Sequence, residues 1–360
     1  MRAAFAVRWC GVPDSPALDA QSVPTRRWWQ RHRLLSVVLA ALALLAVAIG
    51  TVVFTPLFDG RIDAVAAPTG SYDRAMDSAA ALRALDGSEV NPVCRSQVID
   101  QGARTERAVV LLHGYTNCPA QYDQIAQAYA DAGYSVVVPR LPGHGDRDRL
   151  SSSLSDVTPT ALVQAAEEAL DIATGLADDV TVVGMSGGGT LAGYLAGHRD
   201  EIDRAVLIAP LVAPKVLPEF AVAPVARASR FLPDVYLWWD NEQKDALADP
   251  PYAYPRYSLR SLGAFLAVGR AAQSDQPRET TLEELVVVTN ENDNAVSNAG
   301  VGRLASALAS VTDRRVDEVF PAELGFGHDL IDPRGENADN ISVIYPVIGP
   351  LMGLPELTSS

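Results

Sequence analysis

The chain has 360 residues, 48% hydrophobic and 20% charged, which supplies enough apolar material for one large domain or two small ones and excludes disorder throughout. Its formal net charge of -15 is uneven: residues 1–33 carry six Arg against Asp14 and Asp19, a net +4, which leaves -19 for the remainder. An acidic body of this kind repels phosphate backbones and argues against nucleic acid as a partner.

Residues 1–33, with Pro13, Pro16 and Pro24 and little periodicity, read as a short basic tail. Leu34 to Phe58 follows as 25 residues without a charge, and about 20 apolar residues suffice to cross a bilayer. Arg26, Arg27, Arg31 and Arg33 crowd its N-terminal side, and Trp28 and Trp29 stand at the expected interface. The positive-inside bias then keeps the tail in the cytoplasm and puts the rest of the chain outside, as a single-pass protein of the cell membrane. A cleaved signal peptide is the competing reading. Its apolar region should be about 7 to 15 residues, and the nearest Ala-x-Ala, Ala64-Val65-Ala66, lies well beyond the apolar run.

Residues 59–105 are expected to be a linker and lead-in segment, and residues 106–350 alternate strand and helix. Ala108–Leu112 reads as a strand, Ala120–Ala132 as a helix ending at Gly133, and Tyr134–Val138 as a strand stopped by Pro139. Pro159–Ala177 reads as a helix with Pro in its first turn, followed by strands at Val180–Val183 and Arg204–Ala209. Leu285–Thr289 and Arg315–Phe320 complete the set. Continuous apolar strands separated by helices imply a mostly parallel sheet covered by helices on both faces, an α/β architecture. The Pro-rich stretch at about 210–277, with Trp238-Trp239, interrupts the alternation and reads as a helical lid; an ordinary helical excursion with no part in binding is the alternative. Cys94 and Cys118 fall outside the membrane and could form a disulfide, or stay as two buried thiols.

Val180–Val183 feeds Gly184-Met185-Ser186-Gly187-Gly188, a strand running into a Gly-x-Ser-x-Gly turn and then a helix-compatible stretch. A serine hydroxyl is a poor nucleophile unless it is held at an exposed, strained bend beside a base, and glycines two residues away leave that bend unobstructed. Of five His, His32 lies in the basic flank, His113 and His144 sit in turns directly after strands, and His198 follows a helix and is expected to face solvent. His328, in the loop Gly325-Phe326-Gly327-His328-Asp329 after the last strand, is the candidate base. Asp293, on the loop after Leu285–Thr289, is the candidate carboxylate, with Glu291 as fallback and a helix N-cap as the plain structural alternative for Asp293. Each of the three follows a different strand, so all project from one edge of a parallel sheet. The backbone N–H groups of Gly187 and Tyr115 are candidate oxyanion donors.

Together His113-Gly114-Tyr115, Leu141-Pro142-Gly143-His144-Gly145, Gly184-Met185-Ser186-Gly187-Gly188, Asp293-x-x-Val296 and Gly327-His328-Asp329 resemble the α/β-hydrolase superfamily over roughly residues 90–350. The form is most similar to the carboxylesterase and monoacylglycerol-lipase-like branch and lacks the His-Gly-Gly-Gly run of the hormone-sensitive-lipase-like one. The resemblance implies an α/β-hydrolase fold, a cap in the place of residues 210–277, and a serine hydrolase acting on small-molecule or lipid esters. No metal-ligand spacing or Gly-rich phosphate loop stands out, so neither cofactor nor metal is expected. Acyl transfer, or thioesterase or amidase chemistry on the same triad, remains open, as does an inactive membrane-tethered binding module.

Overall fold

The computed structural model describes residues 26–55, 61–242, 244, 250–274, 282–354 and 357. The tail expected over residues 1–25, residues 56–58 of the apolar run, and residues 243, 245–249 and 275–277 of the expected lid lie outside them. Two units divide between Thr51 and Val52. Helix α1 (Arg26–Phe54) carries the apolar run, and its portion from His32 to Thr51, with a mean hydropathy of 2.6, is long and apolar enough to cross a membrane. The Ser36 and Thr51 hydroxyls donate to the carbonyls of His32 and Val47, each at 2.8 Å, so neither is left unsatisfied along this apolar helix.

Residues 61–105 are not a linker. Thr69 donates through both N–H and hydroxyl to the Asp171 carbonyl, and Ala67 N–H donates to the Asp171 carboxylate at 2.7 Å. Helix α2 (Tyr72–Ala84) then buries Ala75, Ala79 and Leu82, and strand β1 (Gln97–Ile99) joins the sheet. The small alanine face of α2 carries a weak hydrophobic pattern, and a three-residue strand is too short to show alternation. Sequence reading therefore passes over both.

The core sheet takes β2 (Thr105–Leu112), β3 (Ser135–Val138), β4 (Ala177–Met185), β5 (Arg204–Ile208), β8 (Leu282–Asn290) and β9 (Thr312–Phe320), with a separate ribbon of β6 (Tyr236–Trp238) and β7 (Arg256–Ser258). Its order is β1-β3-β2-β4-β5-β8-β9, with β1 antiparallel to β3 and every other neighbour parallel. Val109 to Leu112 and Val136 to Val138 are buried without interruption, and because successive side chains point to opposite faces, both faces are covered. The cover comes from α3 (Asp123–Asp131), α4 (Pro159–Leu176), α5 (Gly187–Ala196) and α8 (Asn298–Leu308), with α7 (Leu259–Ser274) packed on the helices and α9 (Ile341–Leu351) the last helix. Edge strand β9 instead alternates exposed and more buried residues from Arg315 to Phe320, as a strand wet on one side must.

The insertion is mixed rather than wholly helical. It holds α6 (Glu219–Ala228) and the β6–β7 ribbon, whereas α7 buries Ala264, Phe265, Leu266 and Val268 and packs on α5, α6, α8 and α4, outside the helices that touch the sheet. Cys94 and Cys118 are both fully buried and disulfide-bonded, with Cα atoms 5.2 Å apart.

Candidate active site

Ser186 follows the last residue of β4 at a bend that its neighbours enforce. Its φ of 53° lies in the left-handed region, costly for a residue with a Cβ. The bend is pinned from three sides: Ser186 N–H donates to the carbonyl of Ile208 in β5 at 2.8 Å, and the Ser186 carbonyl accepts from Leu211, just past β5, at 2.9 Å and from Thr190 in α5 at 3.0 Å. A Cβ on Gly184 would stand 2.2 Å from the Gly188 carbonyl oxygen, and one on Gly188 only 1.8 Å from that of Leu112. The glycines are therefore required by backbone packed on backbone, beyond clearing space for the hydroxyl.

His328 reaches the same spot from the loop after β9. Asn290, the last residue of β8, donates its side-chain amide to the carbonyls of Phe326 at 2.7 Å and Gly327 at 2.9 Å. Asn337 accepts from Gly327 N–H at 2.9 Å and donates to the Asp329 carbonyl at 2.7 Å. These buried amides hold the loop, and nothing in the sequence distinguishes them from ordinary turn residues. Asp293 divides its carboxylate: Oδ1 accepts from the N–H groups of Ala295 and Val296 at 2.8 Å each, and Oδ2 lies 2.7 Å from His328 Nδ1. A local capping role and a contact with His328 coexist, one per oxygen. Glu291 points away, exposed, and accepts from Ala322 N–H.

His328 Nε2 is 2.8 Å from Ser186 Oγ. Since the Asp293 carboxylate can only accept, Nδ1 carries the ring proton and Nε2 turns its lone pair to the serine hydroxyl. Burial works to lower the His328 pKa, but the hydrogen bond and charge of Asp293 outweigh it, with Glu336 and Asp329 adding, so the imidazole is held above its usual value. Burial likewise pushes Asp293 up, and the His328 partner together with the Val296 and Ala295 N–H groups brings it below the usual carboxylate range. Such a chain can pass a hydroxyl proton to a ring whose tautomer the carboxylate holds.

Neither the Tyr115 nor the Gly187 backbone N–H meets an acceptor among the described residues, and a Cβ built on Gly187 would lie 3.1 Å from Tyr115 N. The peptide carrying the Tyr115 N–H is aimed by its carbonyl, Gly114 O, which accepts from His113 Nδ1 at 2.9 Å and from Asn117 N–H at 3.1 Å. His113 Nε2 accepts from Leu141 N–H at 3.0 Å, and burial keeps the ring far below its ordinary pKa and neutral. His144, lowered by burial to about 4, donates to the Pro142 carbonyl. His198, expected to face solvent, is half-buried: its ring stacks on Tyr194 at 4.0 Å, and Nδ1 donates to the Tyr194 carbonyl. The Tyr115 hydroxyl donates to the Ser258 carbonyl at 2.7 Å and pairs with Ser261, tying this loop to the insertion.

Ser186 and His328 open onto a pocket of about 890 Å³ whose apolar wall includes Leu211, Val216, Trp238, Trp239, Tyr257 and Leu262. Among the described residues, no group of three or more His, Cys, Asp or Glu is placed to hold a metal ion.

Comparison with known proteins gives this geometry a relation. The profile of the alpha/beta hydrolase family matches residues 109–332, well over half of the chain. The chain belongs to the alpha/beta hydrolase family. This hydrolase is 38% identical over 94 residues to the thermostable monoacylglycerol lipase of Bacillus sp. (strain H-257), a stretch covering 26% of this chain and 36% of that lipase, so the match spans about a third of the relative's length. A soluble variant of the monoglyceride lipase from Saccharomyces cerevisiae, solved with a substrate analog, superposes with a TM-score of 0.55 at 16% identity, covering 74% of this chain and 92% of that one. The Paleococcus ferrophilus monoacylglycerol lipase gives 0.52 at 19%, covering 72% and 98%. A structure from the metagenome-derived lipolytic enzymes LipS and LipT gives 0.53 at 19%, covering 70% and 95%. At these identities the solved structures speak for the hydrolase fold.

Proposed function

We propose that this protein is a serine hydrolase that cleaves carboxylic esters with an apolar acyl chain through an acyl-enzyme, and that α1 anchors it in the cell membrane with its N-terminus in the cytoplasm. The observation that carries the reading is the run of hydrogen bonds from Ser186 Oγ through His328 to Asp293, 2.8 and 2.7 Å long. Ser186 Oγ attacks the ester carbonyl while His328 Nε2 takes its proton, and the carbonyl oxygen, now negative, is met by the N–H groups of Tyr115 and Gly187. Collapse breaks the bond to the alcohol, which leaves with the proton from His328. Water then gives a proton to His328 and its oxygen to the acyl carbon, releasing the acid and restoring the serine.

The apolar wall favours acyl chains over polar acids, and two residues of that wall, Val216 at 86% and Trp239 at 51%, are also exposed to the outside, as befits an opening for lipid esters. The monoacylglycerol lipase similarity agrees with this substrate class. The four Arg before the apolar helix support the orientation. The decisive experiment is Ser186→Ala on a short p-nitrophenyl ester, with fluorophosphonate labelling of the wild type. Loss of turnover and a label on Ser186 are expected; retained turnover, or a label on another serine, would overturn the reading.

A further inference from the structure

Gly114 stands at a soft joint. It precedes the Tyr115 N–H, and a glycine restrains its own backbone less than any other residue. Its carbonyl is pinned by His113 and Asn117. Its N–H donates at 2.7 Å to Gln121 Oε1, a side chain only 2% exposed on the 3-10 turn Pro119–Tyr122 directly after the disulfide-bonded Cys118. The other end of the same amide, Nε2, donates at 2.7 Å to Asp329 Oδ2, on the residue following His328. Asp329 is itself fixed, its Oδ1 accepting from the N–H groups of Ile331 at 3.1 Å and Asp332 at 3.2 Å. The Gln121 amide thus spans the loop that carries a proposed oxyanion donor and the loop that carries the proposed base, and it makes the shorter of two bonds to Asp329 Oδ2, the other coming from Asn117 Nδ2 at 3.5 Å.

We infer that Gln121 is a positioning residue for the proposed reaction, its amide locking the Gly114–Tyr115 backbone to the Asp329 carboxylate so that oxyanion donor and base keep a fixed relation. Gln121 lines the floor of the pocket but is only 2% exposed, and both ends of its amide are held by the two loops, so its part is to position them. Its contribution is geometric, and a displacement of about 1 Å in such a constellation can cost on the order of a hundredfold in rate. Burial, and then the neighbouring Asp332 carboxylate, raise Asp329 to about 6, so at alkaline pH it is ionised and accepts from Gln121.

The inference rests on the triad reading, and the test separates the two. Turnover per fluorophosphonate-titrated site is measured on the alkaline plateau for Gln121→Leu, Gln121→Glu, Asp329→Asn and the double variant Gln121→Glu/Asp329→Asn, beside Ser186→Ala. Gln121→Glu sets two carboxylates against each other, and Asp329→Asn sets two amide donors against each other. The double variant rebuilds the bridge with its polarity reversed, because the carboxylate introduced at position 121 can accept from both Gly114 N–H and the new side-chain amide at position 329. We expect each single variant to lose roughly ten- to a hundredfold in kcat with KM changed less than about threefold, and the double variant to recover most of the loss. Rescue would not follow from lost packing alone, and it remains readable even where Gln121→Leu fails to fold. A double variant no better than the worse single, losses confined to KM, or wild-type turnover in the single variants would overturn the inference while leaving the triad intact. Turnover by Ser186→Ala would overturn the triad reading and this inference with it.

Discussion

Asp293→Asn tests the assignment of the carboxylate with little disturbance elsewhere. Asparagine keeps Oδ1, and with it the bonds from Ala295 and Val296 at 2.8 Å, so the turn before α8 survives. What changes is the group 2.7 Å from His328 Nδ1, where an accepting oxygen becomes a donating NH2. Nδ1 must then accept, the ring proton moves to Nε2, and Nε2 can no longer take the Ser186 proton. The expected loss in kcat is about 10⁴-fold, roughly 5.5 kcal/mol of transition-state stabilisation. A second signature is in the pH profile. The proposed reaction needs a neutral imidazole, and in the wild type Asp293 holds His328 above its usual 6.5, so kcat/KM should rise with pH through an apparent pKa above that value. Without the carboxylate charge, the residual activity of the variant should rise at lower pH. Initial rates on a p-nitrophenyl ester between about pH 5 and 9, with a thermal melt to establish folding, read both signatures. Glu291→Gln serves as control and should stay within about twofold of wild type. The reasoning fails if folded Asp293→Asn retains turnover within about tenfold, if its acid limb does not move, or if Glu291→Gln loses as much.

Two further outcomes concern glycines. Gly188→Ala drives a Cβ into the Leu112 carbonyl oxygen at 1.8 Å, where only backbone could yield, and should cost at least about 3 kcal/mol in urea unfolding. Gly302→Ala, within α8 with nothing inside 4 Å, should gain roughly 0.5–1 kcal/mol in the same measurement. The Cys94–Cys118 bridge spans 24 residues, so the chain-entropy relation gives about 3.5 kcal/mol lost on reduction, read as a lower denaturation midpoint with dithiothreitol. Two alkylatable thiols in the folded, non-reduced protein would contradict the bridge.

How far the chain could be read depended on whether a feature was local. From Ala108 onward, the strands are dense apolar runs and the helices carry their own start and stop residues, so order and type were legible, although β4 and β8 are longer at both ends than their apolar centres. The short strand β1 and the alanine-faced α2 have no such signature, and a segment expected as linker is part of the domain. The ribbon β6–β7 escapes sequence reading because three-residue strands show no period. Amide side chains left no signal at all: Gln121, Asn290 and Asn337 matter through whom they reach, and a polar residue in a turn looks the same whether or not it reaches anything.

The sequence by itself determined the bend at Ser186, since a strand running into Gly-x-Ser-x-Gly meets its requirement within five residues, and it determined the alternating architecture and the long apolar helix. Only the tertiary structure decided which carboxylate faces His328, since Glu291 and Asp293 lie on one loop and the contact spans 35 residues. The Ser186–His328 contact spans 142, and separation along the chain carries no information about distance across a sheet. The pairing of Cys94 with Cys118, the neutral anchoring role of His113 and the bridge through Gln121 belong to the same class. Each is fixed by how loops from different strands meet at one edge of the sheet, a geometry set by packing and not by any short stretch of residues.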